Sequence, residues 1–136
     1  MAVDIGKFIK APEYDIIVVT HRDVFQASIC EEDRFGMECK EMSAVIILDN
    51  TEMKRMGISN ESNVLLKSKW RNVVVKARAS PKSEQKGIGF MVNSPWSNAL
   101  VSDETSDGIP EYKYIHVKIT TTKEELTSLE DLLAGL

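Results

Sequence analysis

Three short polar side chains, Asn93, Ser94 and Asn98, flank Trp96 directly after the apolar run Ile88–Val92, and Pro95 precedes the tryptophan. An amide supplies both hydrogen-bond donors and acceptors, and a hydroxyl supplies one donor and two lone pairs. Proline has no N–H to give to a sheet, so a strand must stop before it. The pattern therefore predicts a strand end with a polar loop, where a ligand can be held in a concave site.

A long connection, Asn93–Glu111, joins this strand to the next one. Its second half, from Ser102 to Pro110, is turn-forming and contains Gly108, and the following strand opens with Tyr112-Lys113-Tyr114. The chain offers no nucleophile–base pair and no cluster of metal ligands. We therefore expect a binding site, with no catalytic residue and no metal ligand on this chain.

Length and charge limit the classes of protein that fit. A chain of 136 residues with 43% hydrophobic content fits one domain, 1–136, with a single core. A net charge of −4 argues against nucleic acid or an anionic membrane as a partner. The chain has two cysteines, Cys30 and Cys39, and this low count fits free thiols in a reducing cytosol better than a secreted fold held by disulfides. The apolar runs are too short to cross a bilayer, so we expect a soluble cytoplasmic protein.

Apolar and β-branched runs predict most of the strands: Tyr14–Arg22, Ser43–Asp49, Val64–Lys69, Val73–Ala79, Ile88–Val92 and the run that ends at Ile119. Trp70-Arg71-Asn72 turns the third into the fourth as a hairpin. The alternation of Phe25, Ala27 and Ile29 predicts a further short strand, with a loop or helical turn at Glu31–Glu41.

Two small helices are predicted. One is Glu52–Met56, capped by Asn50 or Thr51 and ended by Gly57 in a left-handed conformation. The other, about 123–134, has a capping box at Thr122 and Glu125 and one apolar face: Leu126, Leu129, Leu132 and Leu133. Six or seven strands with two small helices predict a mainly β protein, closed or nearly closed into a barrel over about 14–120.

Several motifs occur in a fixed order: Met56-Gly57-Ile58, Val73-Val74-Val75, Asn98-Ala99-Leu100, Asp107-Gly108-Ile109-Pro110 and Tyr112-Lys113. In that order and spacing the chain resembles the molybdopterin dinucleotide-binding domain of dimethyl-sulfoxide-reductase-type enzymes. Pro95-Trp96-Ser97-Asn98-Ala99 with Gly108-x-Pro110 makes it most similar to the small D subunits of formylmethanofuran dehydrogenases. Thr20-His21-Arg22 stands where the family has Thr-Gly-Arg.

The resemblance implies a double-psi β barrel with short helices and a C-terminal helix. It also implies a non-catalytic, cytoplasmic, archaeal subunit of a formylmethanofuran dehydrogenase, which reduces carbon dioxide onto methanofuran or runs the reverse reaction. Such a subunit holds part of a molybdopterin guanine dinucleotide, in its tungsten or molybdenum form, against a larger catalytic pterin-binding subunit. N–H donors and hydroxyls suit the diphosphate, and an amide suits the guanine edge. The residues expected to bind the cofactor are Thr20, His21, Arg22, Asn93, Ser94, Pro95, Trp96, Asn98, Gly108 and Lys113.

Other interpretations of the same residues stay open. Trp96 also fits a core aromatic, and the two asparagines fit turn residues. His21 and Ser94 replace family glycines, which matters if the backbone there needs a positive φ. A cofactor-free interaction or adaptor module on the same barrel is the alternative function. A self-processing decarboxylase is excluded because no glycine precedes a serine.

Overall fold

The computed structural model describes residues 12–80, 86–101 and 115–134. Within those residues the elements, in chain order, are β1 (Tyr14–His21), α1 (Val24–Glu32), α2 (Met37–Ser43), β2 (Val45–Leu48), α3 (Asn50–Arg55), β3 (Ser62–Lys67), β4 (Asn72–Ala79), β5 (Ile88–Val92), α4 (Pro95–Asn98), β6 (Ile115–Thr121) and α5 (Leu129–Ala134).

The strands form a closed barrel in the spatial order β1-β5-β2-β4-β3-β6. β1 runs parallel to β5 and β2 runs parallel to β4, while the other neighbours are antiparallel. The predicted hairpin is present, with Val64 opposite Val75. The predicted closed, mainly β barrel is therefore confirmed.

Alternate residues of each strand fill the barrel, as a pleated strand with one buried face requires. They include Ile16 and Val18 on β1, Val64 and Leu66 on β3, Val73 and Val75 on β4, and Val117 and Ile119 on β6. Each fully buried aliphatic side chain contributes about 1.5–3 kcal/mol. This core fixes the positions of the strand ends from which the candidate site is built.

The strand predicted at Phe25–Ile29 is wrong, because these residues lie in helix α1. Asp23 caps that helix: its Oδ1 accepts the backbone N–H groups of Phe25 at 2.9 Å and Gln26 at 3.0 Å. Such a cap satisfies N–H groups that have no partner inside the helix. The segment predicted as a loop or helical turn, Glu31–Glu41, contains the end of α1 and most of α2.

The expectation of reduced cysteines is also wrong, since Cys30 and Cys39 form a disulfide. The chain turns back between α1 and α2, where Gly36 N–H donates to Asp33 O at 3.1 Å, and this brings the two Cα atoms to 4.9 Å. Cysteine count alone carries no information about such a turn. The disulfide ties the two helices into one unit beside the barrel.

The two predicted helices exist with different starts. Asp49, rather than Asn50 or Thr51, caps α3, and Gly57 has the predicted left-handed conformation with φ of 71°. The predicted capping box at Thr122 is wrong, because α5 begins only at Leu129, where the Ser128 hydroxyl accepts the N–H of Asp131. Thr127, which precedes α5, is instead hydrogen-bonded to Trp96 and to β4.

Candidate functional site

The ends of β1 and β5 lie side by side because these two strands are parallel neighbours. His21 is opposite Val92, and the N–H of Asn93 donates to the carbonyl of His21 at 2.7 Å. Arg22 and Asn93 therefore leave the barrel next to each other. The two residues are far apart in the sequence, and the parallel pairing of β1 with β5 brings them together.

A groove of about 530 Å³ opens at these strand ends. Arg22 and Asn93 form one side, and α1 forms the other with Val24, Gln26 and neighbouring residues. The volume lies within the range of about 300–1,000 Å³ that is usual for small-molecule sites.

The side-chain oxygen of Asn93 is buried and finds no hydrogen-bond donor among the residues that the structure describes. A buried polar atom without a partner costs about 1–3 kcal/mol. Asn93 borders the groove, so a ligand that brings an N–H or O–H within reach of this oxygen would remove that cost.

Arg22 is the basic residue in the lining of the groove, which also contains Asp23 and Glu31. Its side chain is exposed and forms no ion pair with any residue in the described ranges. The neighbouring Asp23 forms no ion pair with Arg22, and its Oδ1 accepts two backbone N–H groups at the start of α1. A guanidinium in this state is available to phosphate or carbonyl oxygens.

Ser94 is used within the fold. It caps the single turn α4, where its hydroxyl accepts the N–H of Ser97 and its own N–H donates to Ser97 Oγ at 3.0 Å. Its backbone is extended, with φ of −163°, and His21 lies within strand β1. Neither position has the positive φ that a glycine would serve, so the two departures from the family pattern fit this backbone.

Trp96 is a core aromatic in this structure. It is 1% exposed, and its indole N–H donates to the carbonyl of Thr127 at 2.7 Å. Thr127 is itself bound to β4, since its N–H donates to Val74 O and its hydroxyl accepts the N–H of Val74. This bonding explains why the chain before α5 is not helical.

The remaining predicted residues occupy different places. Thr20 is half-buried on β1 and His21 is exposed at its end. Pro95 and Asn98 are exposed on α4, and neither borders the groove. Gly108 and Lys113 lie outside the described residues.

Sequence reasoning missed Glu52, which holds the start of β5. Its buried carboxylate accepts two bonds from Arg55, at 2.9 and 3.1 Å, and the N–H of Gly87 at 3.0 Å. The side-chain hydrogen bond from Arg55 is the main cause that lowers the pKa of Glu52. The i,i+3 spacing of Glu52 and Arg55 on a helix was the signal in the sequence.

Two classes of feature are missing from the described part of the chain. No three His, Cys, Asp or Glu side chains there lie close enough to hold a metal ion. No helix among the same residues is long and apolar enough to cross a membrane.

Comparison with known proteins gives one relative and a group of solved folds. No family model matches the chain. Protein FwdD of Methanocaldococcus jannaschii is 24% identical over 118 residues, which cover 84% of this chain and 89% of that protein. The designed protein apDPBB_sym_79 superposes with a TM-score of 0.53 at 18% identity, over 82% of this chain and all of that one.

Acetylene hydratase from Pelobacter acetylenicus superposes with a TM-score of 0.57 at 10% identity, over 79% of this chain and 18% of the hydratase. At these identities the structural likenesses show the fold alone. That fold is a double-psi β barrel, as the resemblance in the sequence implied.

Proposed function

We propose that this chain is a non-catalytic subunit of a molybdenum or tungsten formylmethanofuran dehydrogenase, which holds part of the molybdopterin guanine dinucleotide beside a larger pterin-binding subunit. The observation that carries the proposal is the similarity to Protein FwdD along 84% of the chain. The cofactor supplies the redox chemistry of the complex when bound. The residues of this chain bind and orient it.

The groove fits one end of such a cofactor. The unpaired oxygen of Asn93 is an acceptor for a ring N–H or amino group, and a guanine or pterin edge carries both. The exposed guanidinium of Arg22 suits a phosphate. Both groups border one groove of adequate volume, so a ligand with a polar ring and a phosphate satisfies both.

A disulfide is compatible with the cytoplasmic location that we propose for the complex. Intracellular proteins of hyperthermophilic archaea are commonly rich in disulfides, although most cytosolic proteins are not. The bond between Cys30 and Cys39 therefore does not require an extracellular protein.

The test is guanine nucleotide retention by the complex assembled from this chain and its larger subunit. Asn93→Ala removes the acceptor, so we expect retention to fall about tenfold to a hundredfold, equivalent to the 1–3 kcal/mol of a buried unpaired group. Arg22→Ala should weaken retention most at low salt, where charge interactions are least screened.

Asn98→Ala is the matched control because Asn98 is exposed and lies outside the groove. The free Asn93→Ala chain should be at least as stable as the wild type, since the variant removes an unpaired buried atom. Nucleotide loss in Asn98→Ala alone would move the site to α4. A stable complex that carries no guanine nucleotide would favour the cofactor-free adaptor module.

A further inference from the structure

Helix α1 exposes large apolar side chains in its first turn and buries a polar one. Val24 is 80% exposed and Phe25 is 77% exposed, whereas Gln26 is only 5% exposed. The Gln26 side-chain amide donates to the hydroxyl of Ser43 on α2 at 2.8 Å. A surface helix ordinarily buries its apolar face, so this turn is inverted.

Local bonds fix the exposure of this apolar pair. The cap of Asp23 holds the backbone of Phe25 and Gln26, and the disulfide of Cys30 holds the other end of α1. Successive helical residues are about 100° apart around the axis, so with Gln26 facing α2 the side chain of Val24 lies about 200° away. The pair therefore cannot turn inward without breaking these bonds.

One member of the pair, Val24, borders the candidate site, and Phe25 is its neighbour in the sequence. Val24 lines the groove, and Arg22 comes two residues before it. A protein surface that closes over the groove would contact Val24 and its exposed neighbour Phe25. Exposed phenylalanine beside a ligand site is typical of an interface anchor, because aromatic side chains bring large contact area at low entropic cost.

We propose that Val24 and Phe25 anchor the larger pterin-binding subunit by entering an apolar recess that is bordered by lysine and arginine. This inference rests on the proposed function, which supplies the partner. The charge of the α1–α2 unit supplies the chemistry of the recess border. Residues 24–43 contain five acidic side chains, namely Glu31, Glu32, Asp33, Glu38 and Glu41, against two basic ones, Arg34 and Lys40.

That acidic excess favours a basic partner surface and disfavours a second copy of this chain. Opposite charges around an apolar centre speed association and orient the partners, whereas two α1–α2 units would bring like charges together. The affinity of the complex should accordingly fall as salt concentration rises.

The experiment measures the affinity of this chain for the cofactor-loaded larger subunit of the same complex. The double variant V24S/F25S should raise the dissociation constant at least ~tenfold, because it removes the apolar anchor. Trp70→Ser is the control, since Trp70 is also exposed, at 55%, but lies in the β3–β4 turn away from the groove. It should change the constant less than about twofold.

The outcomes distinguish failure of the proposed function from failure of the anchor. Both variants should keep the unfolding temperature of the free chain, because all three side chains face solvent. A wild-type chain that does not bind the larger subunit would overturn the proposed function and the assigned partner. Binding that V24S/F25S leaves unchanged would overturn the anchor alone. If the wild-type chain forms dimers and V24S/F25S is monomeric, the pair serves self-association, and the anchor proposal is overturned as well.

Discussion

At the residue scale, Glu52 connects α3 to the strand that presents Asn93. The bonds from Arg55 and from Gly87 N–H favour its charged form and lower its pKa below the ordinary value of 4.5. A carboxyl whose pKa is lower in the folded chain stabilises the fold fully above its unfolded pKa. The contribution disappears as the pH falls below 4.5 through the lowered value.

Glu52→Gln should lower the free energy of unfolding at pH 7 by about 1–3 kcal/mol, because it weakens two bonds from a guanidinium at a buried position. The difference from the wild type should shrink as the pH falls below 4.5 through the lowered pKa of Glu52, where the wild-type carboxylate protonates. Urea unfolding at pH 7 and at a series of pH values below 4.5 measures it.

Glu61→Gln is the control for that series, since Glu61 pairs with Arg78 at an exposed position. Exposed pairs are usually worth less than about 1 kcal/mol. The role given to Glu52 would be contradicted if both variants lost the same free energy of unfolding. It would also be contradicted if the loss in Glu52→Gln did not change with pH.

The sequence predicts the position of a site residue only where that residue lies at the end of a strand. Arg22 and Asn93 each follow an apolar run, so the sequence pattern alone predicts that each lies at a strand end. The direction of the Trp96 side chain could not be predicted, because it depends on Thr127, which is distant in sequence and bound to β4. A tryptophan in a polar loop looks the same in a sequence whether it faces a ligand or the core.

At the element scale, the disulfide should control the local stability of α1 and α2. Closing a short loop stabilises by roughly 2–4 kcal/mol, mainly by restricting the unfolded chain. Reduction should therefore speed hydrogen exchange in α1 at least ~tenfold, while the buried β4 amides around Val75 keep their protection.

Mass spectrometry of exchange with and without a dithiol reductant measures this effect. A Cys30→Ser/Cys39→Ser variant should exchange like the reduced wild type and should not respond to the reductant. Unchanged exchange in α1 after complete reduction would show that the cap and Gln26 hold the helix without the disulfide.

Helix α1 was mispredicted because its sequence carries a period of two. Phe25, Ala27 and Ile29 alternate as strand residues do, and the one buried residue in this turn is the polar Gln26. Periodicity detects burial of apolar residues. Periodicity fails for α1 because the helix is held by a cap, by a hydrogen bond from the Gln26 side-chain amide and by a disulfide, while its apolar residues Val24 and Phe25 remain exposed.

At the scale of the whole molecule, the barrel closes tightly around Gly89. A Cβ at this position would lie 2.5 Å from Ile46 Cδ1 and 3.0 Å from Leu48 Cδ2. Gly89→Ala should therefore lower the free energy of unfolding by about 1–3 kcal/mol through overpacking. Urea unfolding is the measurement.

The double variant Gly89→Ala with Ile46→Val identifies the cause of that loss. Removing Cδ1 of Ile46 makes room for the new methyl group. The loss in free energy of unfolding of the double variant should therefore be smaller than the sum of the two single losses by roughly 0.5 kcal/mol or more. Strictly additive losses would show that the strain at Gly89 does not arise from Ile46.

The strand order has a consequence for synthesis on the ribosome. Both neighbours of β1 are made much later than β1 itself, since residue 17 pairs with residue 88 and residue 14 with residue 119. As the nascent chain emerges, β1 has two open hydrogen-bonding edges, which are a risk for aggregation. Arg22 meets Asn93 only when β5 takes its place, so cofactor loading under the proposed function must follow translation of the barrel.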